Sequence, residues 1–171
     1  NDISKALHHL ALAIPLFQEV GEEGLASQMT TFIGAYHLLR GDYEQGLPYL
    51  ETGLTQAKWV GDRHGITFAL FNLGQVALVR NELAVAKRHF AEGLGYLQEL
   101  KDRAHIANFL EGLATVAGTE GNYTHAATLF GAAQGLFERA GMRGHTYYQP
   151  YHARYAAIRT EVEQALGSVS Y

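Results

Sequence analysis

Cysteine is missing from this 171-residue chain, tryptophan occurs once and proline only three times. Without thiols there are no disulfides, no thiolate catalysis and no sulfur-ligated zinc, which leaves histidine and carboxylates as metal ligands. Charge is also scarce: Asp, Glu, Lys and Arg make up 18% of the residues, against roughly 25% in an average soluble domain. The 13 basic and 17 acidic residues give a net charge of −4, and no lysine-rich run occurs. That balance argues against nucleic acid as a partner. The longest apolar stretch, from Leu10 to Phe17, falls far short of the roughly 20 residues a membrane helix requires. No membrane span is encoded. With 47% apolar residues, the chain has instead the composition of a folded domain and the length to bury one core.

Reactive motifs are missing as well. No two of the nine histidines stand three or four residues apart, the spacing that puts two metal ligands on one helix face. His8 and His9 are adjacent and diverge by about 100° on a helix. Asp102 and His105 have suitable spacing, but at a helix start, where Asp reads as a cap. The only serines are Ser4, Ser27, Ser168 and Ser170, and no Gly-x-Ser-x-Gly surrounds any of them. Glu22 with Glu23, and Glu161 with Glu163, read as solvated charges. The chain is therefore expected to carry no catalytic residue, no metal and no cofactor, and not to be an enzyme.

What the sequence does contain is a repeat of about 40 residues. Ile33, Leu73 and Leu113 share one column, and Gly34, Gly74 and Ala114 the next. Further columns hold Gly41, Asn81 and Gly121; Tyr43, Leu83 and Tyr123; Gly46, Ala86 and Ala126; Leu50, Phe90 and Phe130; and Gly53, Gly93 and Ala133. Within each unit the apolar residues fall at helical spacing, as in Leu83, Ala86, Phe90 and Leu94. Each unit is thus a pair of helices, A then B. The break between them lies at Gly41-Asp42, Asn81-Glu82 and Gly121-Asn122, where Gly or Asn suits a left-handed residue and Asp42 or Asn122 can cap the next helix. The break between units lies at Gly61-Asp62, Lys101-Asp102 and Gly141. A glycine inside a helix costs about 1 kcal/mol relative to alanine. Small residues recurring in fixed columns therefore predict close approach of helices A and B.

The expected fold is all-α, a right-handed α-α superhelix of antiparallel helix pairs forming a single array over 1–171. Residues 1–20 read as an orphan helix B, 21–60, 61–100 and 101–140 as full repeats, and 141–171 as a closing partial repeat. The phase predicts an array that begins and ends within a unit. The orphan helix carries Leu7, Leu10, Leu12, Ile14 and Phe17, an apolar face that wants covering, and Leu10 and Phe17 are the candidates for self-association. In the last segment Gly141, Gly144 and His145 read as loop. A final helix is expected to start near Pro150, with Tyr151 and Tyr155 one turn apart. Pro48 and Pro15 lie inside helices, each removing a backbone donor.

Small residues at Gly34, Gly74 and Ala114 in helix A, with helix B opening Gly-Asp-Tyr at Gly41 or Gly-Asn-Tyr at Gly121, resemble the tetratricopeptide repeat. The period of about 40 exceeds the usual 34 of that family, and Thr30, Leu70 and Leu110 stand where it has a bulky aromatic. Residues 126–141, with Pro150, Ala153-Arg154-Tyr155 and Ala165-Leu166-Gly167, resemble the C-terminal repeats of large bacterial signal-transduction ATPases and LuxR-type transcriptional regulators. The ATP-binding motif of those proteins is absent. The resemblance implies the sensor or interaction part of a longer cytoplasmic regulator, acting in signal transduction or transcription regulation.

It also implies a concave surface lined by helices A. The columns that would face it hold Gln28, Phe68 and Asn108; Thr31, Phe71 and Glu111; Phe32, Asn72 and Gly112; and Ala35, Gln75 and Thr115. Of these Phe68, Phe71, Asn72, Gln75, Asn108, Glu111 and Thr115 are the candidate contacts. Amides there can hold an extended backbone while phenylalanines supply apolar contact. The lysines or arginines with which family members clamp a C-terminal carboxylate are not in these columns. The expected partner is a protein or peptide segment, or a small effector, and the rival reading is a structural oligomerisation scaffold.

Overall fold

A computed structural model describes residues 2–100, 102–141 and 149–167, with side chains except at 104 and 149–152. Lys101, Gly144, His145, Ser168, Ser170 and the side chain of Tyr151 lie outside the described residues. The fold is all-α. Among the described residues there are eight helices and no strand: α1 (Asp2–Glu19), α2 (Glu23–Leu39), α3 (Tyr43–Val60), α4 (Arg63–Val79), α5 (Leu83–Leu100), α6 (Arg103–Thr119), α7 (Tyr123–Arg139) and α8 (Gln149–Leu166). Helices α2, α4 and α6 are the helices A, and α1, α3, α5 and α7 the helices B. The boundaries keep the forty-residue phase. α8 begins one residue before Pro150, while α1 and α3 run through Pro15 and Pro48.

The turns show why the phase is fixed by sequence. Gly41 takes φ 81° and Gly121 φ 78°, and Asn81, at φ 59°, is the positive-φ residue other than glycine among those described. At each, two backbone bonds close the preceding helix. Gly41 N–H donates to Leu38 C=O and Asp42 N–H to His37 C=O, both at 2.9 Å. Asn81 and Glu82 repeat the pattern on Leu78 and Ala77 at 3.0 and 2.8 Å, as do Gly121 and Asn122 on Gly118 and Ala117 at 3.0 and 2.9 Å. Each turn thus satisfies its own helix-end carbonyls. The caps differ from turn to turn. Asn122 accepts the His125 N–H at 3.4 Å. Asp42 makes no side-chain cap bond, because its carboxylate turns back to Arg40 Nε at 3.2 Å.

Packing divides the chain into two compact units, Asn1–Val76 and Ala77–Tyr171, with the division inside α4. In the first unit α1 packs on α2 and α2 on α3. The contact between α2 and α3 is made by glycine against glycine. A Cβ on Gly34 would lie 3.0 Å from the Gly46 carbonyl oxygen, and one on Gly46 would lie 2.8 Å from that of Gly34. No side chain fits between those backbones, which is the close approach the small-residue columns predict.

In the second unit α5 packs on α6, α6 on α7, and α8 on both α6 and α7. Phe90 of α5 and Phe109 of α6 meet edge to face at 6.0 Å, a favourable aromatic geometry. Each occupies space that a glycine on the opposite helix vacates: Phe109 lies against Gly93, and Phe90 against Gly112. Ala114, Ala117, Ala126, Phe130 and Val162 join α6, α7 and α8 in one core. Gly118 makes room for Ile158 of α8 beside it.

Candidate partner-binding surface

The groove columns read from the sequence divide into buried and half-buried positions. Asn72 and Thr115 are 0% exposed, Gln75 and Glu111 1%, and Phe71 9%. Their polar groups are turned to the interior. Asn72 Nδ2 donates to the Phe68 carbonyl of its own helix at 2.8 Å, and its Oδ1 has no hydrogen-bond partner among the described residues. Thr115 donates to the Glu111 carbonyl at 2.8 Å, the local bond by which a helical threonine hides its hydroxyl. Glu111 accepts from Arg159 of α8 at 3.3 Å. Phe68 in the first unit and Asn108 in the second remain half-buried.

Around Phe68 the first unit builds a defined surface. Phe32 of α2 and Phe68 of α4, both half-buried, meet at 5.1 Å between ring centroids and 63° between planes. Gln28, one turn before Phe32 and also half-buried, donates from Nε2 to Asp62 Oδ2 at 2.8 Å. Asp62 precedes α4, and Gly65 leaves room for its carboxylate: a Cβ there would lie 2.5 Å from Oδ2. Two successive helices A thus present an apolar edge beside a fixed amide. Phe32, Gln28 and Asp62 are functional candidates that the sequence placed only by column, or not at all. Asp62 follows the left-handed Gly61 just as Asp42 follows Gly41 and Asn122 follows Gly121, so no local signal distinguished it from a capping residue.

Large apolar side chains are also exposed on helices of both kinds, Leu25, Leu39 and Val79 on helices A being less exposed than those on or just after α1 and α3. On α1, Leu10 and Phe17 are half-buried, whereas Leu12, Leu16 and Val20 at its end are 54%, 61% and 71% exposed. Trp59 of α3 is 78% exposed, in a column held elsewhere by Glu19, Glu99 and Arg139.

His105, beside a carboxylate, serves a structural role. His105 donates its backbone N–H to Asp102 Oδ1 at 3.1 Å and sets Nδ1 2.6 Å from Oδ2, so Asp102 caps α6. Among the described residues no three His, Asp or Glu side chains converge as metal ligands, and no helix is long and apolar enough to cross a membrane. Against known proteins, no family model matches the chain and no curated protein matches it.

Proposed function

We propose that this chain is a non-catalytic helical-repeat module of a bacterial regulatory protein, and that it holds a protein or peptide segment against the helix-A surface of its first unit. The observation that carries the reading is the half-exposed Phe32–Phe68 pair. An apolar side chain of the partner covers the two rings, as suits aromatic residues, which are enriched in interface cores. Beside them, the Gln28 amide donates to Asp62, leaving its oxygen to accept a backbone N–H from an extended segment. The tetratricopeptide-like pattern of the sequence supports a peptide as ligand, and its likeness to regulator C-termini supports a role in cytoplasmic signal transduction or transcription regulation.

Selection of peptides from a random display library on the whole chain, followed by calorimetric titration of the selected sequences, tests this. Phe68→Ala and Phe32→Ala are expected to weaken the selected peptides by about tenfold or more while the chain remains folded by circular dichroism. Peptides that bind both variants as tightly as the parent chain would overturn the assignment.

A further inference from the structure

Asp42, Asp62 and Asp102 each follow a turn, and two of the three are engaged locally. Asp42 meets Arg40 Nε at 3.2 Å, and Asp102 accepts the His105 backbone N–H while meeting its ring. Asp62 is different. Its half-buried side chain accepts from Gln28 Nε2 of α2, its one side-chain partner among the described residues, and no cation pairs with it there. Lys58 and Arg63 stand nearest in sequence, and neither is its partner. The helices that frame it hold little else to meet it: α2 has no Lys or Arg, and α4 has Arg63 alone. A carboxylate is thus held at the surface with its charge unmatched.

That carboxylate lies one helical turn from the aromatic pair along either helix. On α2 Gln28, which holds it, precedes Phe32 by four residues, and on α4 Gly65, against which Oδ2 lies, precedes Phe68 by three. One turn is about 5.4 Å. In an extended segment, alternate side chains point to the same side and stand about 6.7 Å apart. An apolar residue seated on Phe32 and Phe68 therefore sets the side chain two positions away beside Asp62.

We propose that the segment held at Phe32 and Phe68 carries a lysine or arginine two positions from its apolar anchor, and that Asp62 binds that cation. The inference rests on the peptide reading above and gives it a sequence requirement: an apolar residue and a basic one, separated by any residue, in one chain direction or the other. An ionised carboxylate has about four acceptor sites, of which Gln28 takes one. Room remains for an ammonium or for the paired N–H groups of a guanidinium. The methylene stem of either side chain lies along the edge of the rings while its charge reaches the carboxylate. Gln28 is a positioning residue here, since it fixes the carboxylate and leaves its charge intact. A segment with Asp or Glu at the same place is repelled, so Asp62 selects among partners by sign of charge.

Peptides selected on the whole chain from a random display library, then synthesised and titrated against the parent and Asp62→Asn, test this. Asparagine keeps an acceptor for Gln28 and removes the charge, and circular dichroism checks that the variant folds. The selected peptides are expected to carry Lys or Arg two positions from an apolar residue. Replacing that residue by uncharged norleucine or citrulline is expected to weaken binding to the parent by about tenfold and to change nothing on Asp62→Asn. A readout without any variant is salt: the basic peptide is expected to lose affinity as salt is added, and its uncharged form to lose less. Peptides that depend on Phe68 but carry no basic residue there, or that lose as much on Asp62→Asn as on the parent when the charge is removed, would overturn the proposal and leave the peptide surface standing. A basic peptide as salt-tolerant as its uncharged form would also overturn it. Peptides indifferent to both Phe32→Ala and Phe68→Ala would overturn the surface, and this inference with it.

Discussion

Arg159 on α8 sets its Nη2 3.3 Å from Oε1 of Glu111 on α6, a carboxylate whose side chain is only 1% exposed. The guanidinium also lies 4.9 Å over the ring of Phe130 on α7, so one side chain binds the closing helix to both helices beneath it. Removing one member of a fully buried ion pair costs about 3–5 kcal/mol, because a charge is left without compensation. The Arg159 side chain is 32% exposed, and water reaches what it leaves behind. Arg159→Ala is therefore expected to cost about 1–3 kcal/mol, measured by urea unfolding. Glu111→Gln, which removes the buried charge together with its partner's attraction, is expected to cost less. The reverse order would show that Arg159 contributes little to holding α8.

Glycines of this chain are expected to respond in opposite directions. Gly46 faces the Gly34 carbonyl and Leu38 Cδ1 at 2.8 and 2.5 Å from an added Cβ, so Gly46→Leu forces α2 and α3 apart. Overpacking of a tight contact typically costs about 1–3 kcal/mol. Gly95 lies within α5 with nothing within 4 Å of an added Cβ. Gly95→Ala is expected to raise stability by up to about 1 kcal/mol through helix propensity alone. Thermal melts of the two variants read the contrast directly.

Asn72 gives a third expectation. Its side chain is fully buried, with Nδ2 satisfied inside its own helix and Oδ1 without a partner among the described residues. An unsatisfied buried polar atom costs about 1–3 kcal/mol. Asn72→Leu, similar in volume and apolar, is expected to raise the melting temperature and leave peptide affinity unchanged. A loss of peptide affinity without a change in melting temperature would instead place Asn72 in contact with the ligand.

The periodic features were legible in the sequence because they depend on local conformation. Gly41, Asn81 and Gly121 mark the turns since only Gly or Asn readily takes the left-handed backbone found there, and Gly34 with Gly46 mark the closest helix approach because nothing larger fits. Asp102 was legible as a cap for the same reason. The candidate site was less legible. A helical column shows which residues share a face, but not whether a polar member faces water or another helix. Glu111 is interior because Arg159, 48 residues later, is there to meet it, and no local pattern announces that pairing. Asp42 likewise occupies a capping position, yet its side chain is drawn to Arg40. The Phe32–Phe68 edge was visible only as two phenylalanines in columns one helical turn apart, since their contact requires two helices A to lie side by side.

The self-contained turns bear on how such a chain changes length over evolutionary time. The turns at Gly41, Asn81 and Gly121 each close their backbone hydrogen bonds using residues from the end of the helix they terminate and the two that follow. A duplication or deletion of one forty-residue block therefore leaves the backbone bonds of these turns complete, whereas an insertion of a few residues within a helix rotates all downstream side chains out of register. Growth by whole blocks is the inexpensive genetic route, and length variants of this protein are expected to differ by multiples of that block.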